Sequence, residues 1–569
     1  MATGYSVPQE ASKVFHERIL RSPRVKQHLL DDLEKYANIS FEGSPDPILP
    51  VNWRFGESIS SLKALEATYI NAILDKLYGV PVQKASISTN HGILFIMSVL
   101  LWSLDPEGRN VSFAEIRSDE KAKDFYFSCF KDYDNHKSLE GPYRCGTSNI
   151  YQTRDDRFFH LHGSLNPDVI FRMLKLPLDP PGGEDTWERV LPVFRAALAQ
   201  WDSDAIDKLS NNVVKTSGSI CYDVDGYRKT DQGEANRHVG LWETFRIGND
   251  KQAPSWWTDA AGNKPRDPSK PLAGLKVLDA TRIIAGPTVT RGLAELGATV
   301  LRITSPNIPD GTIYHPEFNW GKRNAALDFH KAEDREIMKN LILECDVFVS
   351  SYRPEVMEKW GFGVDQVMEL CKDRPKGIIV ARLNCFGWHG PLQWRSGWQQ
   401  ISDAHTGVSY GFGRAMGNDE PVTPIFPNSD FCTGVSGICS VLDALVRRAE
   451  NGGSYKINLA LDYYNNWLTS NVGTYPDNVW KKLHAHYGSP VFRHDDHMLA
   501  LIGKVTALLK QHSPNLFDPQ FFEIRSCENL GINMRTVKPV IKFDDIVKPG
   551  FSLGTRGNGV DEARWPEES

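Results

Sequence analysis

Between residues 271 and 475, short apolar runs alternate with helical ones. LKVLDA is followed by RGLAELG, ATVLRI by EDREIMKNLILECD, and VFVSSY by PEVMEKWGF and then KGIIVARLN. This spacing constrains the fold more than any other feature. Strands separated by helical segments pair in parallel, because the crossover helix packs back onto the sheet. The expectation is an α/β protein: a Rossmann-like doubly wound parallel sheet with a smaller α+β domain. The first strand–helix turn, TRIIAGP, is not a GxGxxG loop, which argues against a dinucleotide site. A helix start after a strand can still receive phosphate.

Composition narrows the function classes. The net charge of −6 gives no basic field to attract a polyanion, so no nucleic-acid partner is expected. The longest apolar stretch, GILFIMSVLLW at 92–102, is about half a membrane span, so no membrane partner is expected. Nine cysteines, odd in number and without CxxC pairs, fit a reducing compartment. The start, MATGYSVPQEASKVF, shows no secretory pattern, and the end, WPEES, matches no targeting tripeptide. Cytoplasmic is the expected location.

Elsewhere the chain is less regular. Residues 201–270 are polar and punctuated (SGS, DQGEAN, KQAPSWW, AAGNKPRDPSKP) and read as a connector with some ordered pieces. YQTRDDRFFHLHG at 151–163 reads as a hairpin, with a helix after it in PDVIFRMLKL. Residues 61–95 and 435–468 share a plan of apolar helix, Gly-containing turn and strand. Setting Lys84 against Lys456 puts Ser58 near the place of Asp430, so the early copy lacks the carboxylate. HAHYGSPVFRHDDH (484–497) has four His and two Asp, but surface His clusters are common and no metal is expected. Cys432 reads as a small buried cysteine. No GxSxG elbow or P-loop is present.

One acid stands out. Asp430, in FPNSDFCTG, opens a mostly apolar helix. It is either an N-cap satisfying free backbone N–H groups or a nucleophile or base tuned by the helix dipole. The residue alone does not decide.

Five stretches do. PLAGLKVLDATRIIAGPTVTRGLAELGATVLRI, NWGKRNAALDF, SSYRPEVMEKWGFG, IIVARLNCFGWHGP and NSDFCTG…NGGSYKINLAL occur in order over about 200 residues. Together they resemble the family III CoA-transferases, whose superfamily includes the α-methylacyl-CoA racemases. YQTRDDRFFHLHGSLNPDVIFRMLKL resembles that family's small domain, displaced toward the N-terminus, and KPVIKFDDIVKPGFSLG its closing segment. The resemblance implies four regions: a degenerate half at 1–200 holding the small domain at about 141–190, the connector at 201–270, a CoA-binding and catalytic domain at 271–475, and a segment at 476–569 wrapping back on the fold. Such proteins form interlocked dimers, so the chain is expected to be a homodimer or a monomer that mimics the dimer internally.

The resemblance implies CoA, as an acyl-CoA substrate, and carboxylic acids as ligands. Its phosphates need fixed cations. By motif, Arg282 and Ile283 lie by the diphosphate and adenosine, and Lys322, Arg323 and Lys359 at phosphate contacts, with Arg353 and Arg395 as further candidates. Asp430 matches the catalytic aspartate, which attacks the thioester and carries CoA to a second acid. Trp398, Asn428 and Tyr410 are the expected pocket residues. A racemase needs a His where this chain has Trp398, so that reading falls back on His405 or Asp403 as unconventional partners of Asp430. Gln399 stands where the family usually has Asp, Ser305 where an Arg commonly helps hold CoA, and no Gly-rich flap follows Asp430. A non-catalytic acyl-binding descendant is the third reading.

Overall fold

The computed structural model describes residues 4–258 and 262–566; residues 259–261, within the punctuated stretch, and both terminal tripeptides lie outside it. The strand–helix rhythm builds a seven-stranded sheet. Its strands are β1 (Glu243–Ile247), β2 (Lys276–Ala280), β3 (Thr299–Thr304), β4 (Lys322–Ala326), β5 (Val347–Ser350), β6 (Ile379–Asn384) and β7 (Ser454–Ala460). The spatial order is β4-β3-β2-β5-β6-β7-β1. Six strands are parallel; only β1 runs antiparallel, at the edge beside β7. The chain therefore winds outward from β2 in one direction and from β5 in the other. The turns after those two strands diverge and leave a crevice at their carboxyl ends.

Five helices frame the site: α1 (Phe55–Tyr78), α2 (Ala285–Glu295), α3 (Gln399–Thr406), α4 (Asn428–Asn451) and α5 (Met498–His512). By length and composition α4 could cross a membrane, but 94% of its apolar window is buried inside the fold, as in a core helix. It packs along α1. Tyr69 Oη donates to Asp443 at 3.0 Å, and Ser58–Cys432 and Lys76–Glu450 are paired at the same separation of 374 residues. A constant separation along both helices means that they run parallel and in register. The strand after α1, Ala85–Ser88, stays out of the main sheet and pairs with Ile39–Glu42 and Ile541–Phe543. The C-terminal segment thus returns to the N-terminal half. It does so a second time where Ile532–Val537 pairs with Ser103–Leu104.

Residues 201–270 do more than connect. They supply β1 and also Ser217–Ile220, which joins Asn149–Gln152 and Phe158–His162 in a three-stranded antiparallel sheet. Both strands are short and bordered by turn residues, so their pairing depends on partners far away in sequence. The three-stranded sheet, with the helices Asp168–Leu174 and Trp187–Leu198, encloses its own apolar cluster around Phe159, Phe171 and Phe194. This small module sits over the crevice of the large sheet.

Candidate functional site

The crevice is a cleft of about 520 Å3. The turn after β2 contributes Arg282, Ile283, Ala285 and Gly286, and the turn after β5 contributes Ser351, Tyr352 and Arg353. The two turns touch: a Cβ on Gly286 would meet Ser351 Oγ at 2.6 Å, so only glycine permits this approach. Ile283 and Ile284 both hold positive φ, 47° and 34°, a strained conformation for β-branched residues that α2 and the sheet impose. The small module closes the other side with Gly163 to Asn166 and Val214 to Thr216.

Asp430 projects into this cleft from the first turn of α4. The residue in the N-cap position is Pro427, so Asp430 does not cap the helix. Among the described residues, no hydrogen bond or ion pair holds its half-buried carboxylate. Burial, and then the neighbouring Asp403, raise its pKa well above the usual carboxylate range. An unpaired carboxylate facing a cleft is a reactive group, since nothing neutralises it in the ground state.

Asp403 lies behind it on α3. It accepts Ser429 Oγ at 2.6 Å and Asn465 Nδ2 at 2.9 Å, and Gln399 Nε2 also donates to it. Burial pushes its carboxyl up to about 6 despite those donors. Asp403 is enclosed and does not line the cleft. His405 is enclosed too: its Nδ1 pairs with Asp462 at 2.7 Å, and the rings of Tyr222, Tyr227 and Phe386 surround it. Neither residue reaches a substrate in the cleft, so both are corrected as proton-transfer partners of Asp430. α3 turns its His405 face inward toward Asp462, while Trp398 at its N-cap faces the cleft.

The other expected residues divide cleanly. Arg282, Ile283, Arg353, Arg395 and Trp398 line the cleft with Asp430. Arg282 donates to the Pro309 carbonyl at 2.6 Å and lies over the Tyr352 ring. Arg395 is already bound by both Asp207 oxygens, at 2.9 and 2.8 Å, which ties its loop to the small module. Arg353 is exposed at the mouth beside Lys215, which the sequence reading missed.

Lys322 is corrected as a phosphate contact. It is fully buried and donates to Asp279 at 3.0 Å, Thr290 Oγ1 at 2.7 Å and the Pro287 carbonyl at 3.0 Å. Strand alternation on β4 turns Lys322 into the core and leaves Arg323 near Asp561, outside the cleft. Lys359 is exposed over Trp360 and also lies outside it. Asn428 is buried against Tyr464 Oη at 2.8 Å, and Tyr410 packs under Arg414 and against Phe158, so neither lines the pocket.

The histidines of 484–497 do not converge. His484 bonds the Pro490 carbonyl, His486 the His512 carbonyl and His494 Glu420, while His497 caps α5. Among the described residues a different trio, His238, Glu243 and His389, brings its ligand atoms within 4.8 Å of one another, away from the cleft.

Comparison with known proteins gives this site its class. The CoA-transferase family III profile matches residues 272–493. The acetyl-coenzyme A transferase nodX of Hypoxylon pulicicidum is 44% identical over 568 residues, covering 99% of this chain and 94% of that one. An acyl-CoA transferase of Gibberella moniliformis is 30% identical, covering 72% of each chain. Among solved structures, a CAIB/BAIF family protein from Brucella suis aligns with a TM-score of 0.37 and 19% identity, over 50% of this chain and 95% of that one. The chain belongs to CoA-transferase family III, and it is an enzyme with CoA-transferase activity.

Proposed function

We propose that the chain moves CoA between carboxylic acids through a covalent intermediate on Asp430, with CoA lying in the cleft at the switch point of the sheet. The observation that carries this is the unpaired Asp430 carboxylate at the head of α4, facing a cleft whose lining cations are Lys215, Arg282, Arg353 and Arg395. Lys215, Arg282 and Arg353 suit the phosphates of a CoA thioester, while Arg395 is held by Asp207.

An oxygen of Asp430 attacks the thioester carbonyl, the C–S bond breaks, and the thiolate leaves with a mixed anhydride on the aspartate. The thiolate then attacks the aspartyl carbonyl and expels the first acid as its carboxylate. An acceptor carboxylate attacks the resulting aspartyl thioester, and return of the thiolate to the acceptor's carbonyl frees Asp430. One hard exchange becomes a series of easier ones. The free N–H groups in the first turn of α4 are suited to stabilising the oxyanions. Hydroxylamine trapping with mass analysis tests the scheme: an Asp430 hydroxamate is expected, and its absence with every acyl-CoA tried overturns it.

Arg353→Ala should raise the KM for acyl-CoA about tenfold with kcat nearly unchanged, the loss of about 1.4 kcal/mol of binding to a charged group. Initial-rate kinetics checks this. Arg395→Ala should act differently, because its guanidinium already belongs to Asp207. It should lower thermal stability and loosen the small module.

The cleft is closed by residues 163–166 and 214–216 of the same chain, and α1 packs along the nucleophile helix. This supports a monomer that mimics the dimer internally, and light scattering is expected to give 64.0 kDa; a stable species of twice that mass overturns it. The nine free cysteines support a reducing compartment such as the cytoplasm.

A further inference from the structure

Asp430 faces two spaces. Beyond it, on the side away from the large cleft, lies a chamber of about 130 Å3 that shares Ser164, Leu165, Ile283, Trp398 and Asp430 with the cleft. If CoA occupies the cleft, the chamber is where the acyl group of the thioester must point. Most of its apolar wall comes from three distant parts of the chain, while Ser138, Ser148, Tyr314, Gln399 and Gln400 add polar atoms. Residues 99–148 supply Val99, Leu100, Phe113 and Leu139; the turn after β2 supplies Ile283 and Ile284; α5 supplies Met498, Leu499 and Ile502.

No Lys or Arg lines the chamber among the described residues. Its two histidines are not cations either. His162 Nδ1 accepts the Ser164 N–H at 2.9 Å, and His497 Nδ1 accepts the Leu499 N–H at 3.2 Å, so each ring has one unprotonated nitrogen. Burial pushes both imidazoles down to about 3. His162 also stacks flat on Trp398, with centroids 5.3 Å apart, which holds the indole against the reaction centre. The cation outside the lining whose charge reaches it is Arg117. It is exposed and is not a lining residue, but its side chain donates to the Leu139 carbonyl at 3.4 Å and reaches Cys145, and its charge is felt at Tyr314 and His497.

We propose that this chamber is an acyl subsite for an uncharged, apolar monocarboxylic acyl group about the size of one six-membered ring, and that it rejects dicarboxylic acyl groups. The proposal rests on the reading of Asp430 as nucleophile. A second carboxylate carried into these walls would lose its hydration and find no Lys or Arg among the lining residues, only the exposed Arg117 outside them, which costs more than the contacts there return. An apolar group gains by burial instead. The size follows from volume: a dry cavity of ~150 Å3 lined by aliphatic side chains takes benzene.

The test uses the full-length enzyme and a series of thioesters: acetyl-, hexanoyl-, phenylacetyl-, palmitoyl-, succinyl- and malonyl-CoA. Phenylacetyl- and hexanoyl-CoA are expected to exceed succinyl- and malonyl-CoA in kcat/KM by at least a hundredfold, and acetyl- and palmitoyl-CoA by about tenfold. Leu139→Arg should narrow the gap toward succinyl-CoA at least tenfold, while the Kd for free CoA, read by calorimetry, stays within twofold. A preference for succinyl-CoA, lost in Arg117→Ala, would show that Arg117 serves as the counter-charge and would overturn the subsite. Rates that ignore both acyl charge and Leu139→Arg overturn it as well. Absence of transfer and of an Asp430 adduct with every thioester is a different failure, that of the nucleophile reading itself.

Discussion

Asp430→Ala is expected to lower kcat/KM about 10^4-fold or more, the range seen when other covalent enzymes lose a nucleophile, and to leave the fold intact. The carboxylate has no hydrogen-bond or ion-pair partner among the described residues, so its removal orphans no donor there. Asp430→Asn, nearly isosteric, should be as inactive and give no hydroxamate. Stability provides an independent readout. A carboxyl whose folded pKa is raised binds its proton more tightly in the native state than in the unfolded one. Stability from that proton is fully present below about pH 4 and is lost as pH rises through the folded pKa. At pH 7 the wild type has therefore lost stability that this proton gives below pH 4, a loss the Asn variant does not undergo. Thermal denaturation should find Asp430→Asn at least as stable as wild type at pH 7 and without advantage at pH 4. A variant that is less stable at pH 7 would show that the Asp430 carboxylate stabilises the fold. The same charge sets the rate profile: activity should fall on the acid side at a pH above the ordinary carboxylate range. Asp403→Asn, by removing the second cause of that shift, should move this limb to lower pH.

The parallel core was legible because each of its strands is a local apolar run, and the strand–helix spacing sets the direction of pairing. The cleft followed from the same pattern, since the turns carrying Arg282 and Arg353 come directly after two of those runs. Lys322 and Arg323 were misread because a Lys–Arg pair suggests a phosphate clamp. On a strand, adjacent residues face opposite ways, and the period-2 pattern of KRNAA was the signal that one of the two is inside. β1 was hidden in the punctuated stretch because ETFRI is half exposed and its pairing with β7 spans more than 200 residues. His162 carried a faint signal, as FHLHG puts His160 and His162 on one face of a strand. Nothing local marked the chamber. Val99, Leu139, Ile284 and Ile502 meet only after the N-terminal half has packed against α4, and no motif spans such distances.

Lys322→Met is expected to destabilise the protein by about 3–5 kcal/mol, the cost of leaving one partner of a buried pair unmatched. Asp279 is fully buried, and with Lys322 gone its charge keeps three hydrogen bonds but loses its ion-pair partner: Thr281 N–H at 2.9 Å, Thr281 Oγ1 at 2.6 Å and Thr290 Oγ1 at 2.6 Å remain, while Arg302, which also acts on it, is paired with Asp310. Denaturant titration measures the loss. Because those three bonds still shape the turn that carries Arg282, the KM for acyl-CoA in the folded fraction should stay within about twofold. A phosphate-binding lysine would give the reverse, a large rise in KM with little loss of stability. The pair also has a pH signature. Burial lowers the Lys322 ammonium to about 8, against the pull of Asp279, so between about pH 8 and the ordinary lysine value of ~10.4 the unfolded chain binds more protons than the native one. Stability from this group therefore rises with pH across that window, and the rise should vanish in Lys322→Met. Adding Asp279→Leu to Lys322→Met should restore much of the lost stability, since a well-packed apolar pair replaces a buried ionic one at little cost. The recovery, read as a coupling energy in the double-mutant cycle, separates the charge–charge interaction from simple loss of packing. If the double variant is no more stable than the single one, the pair serves the turn geometry more than it serves the core.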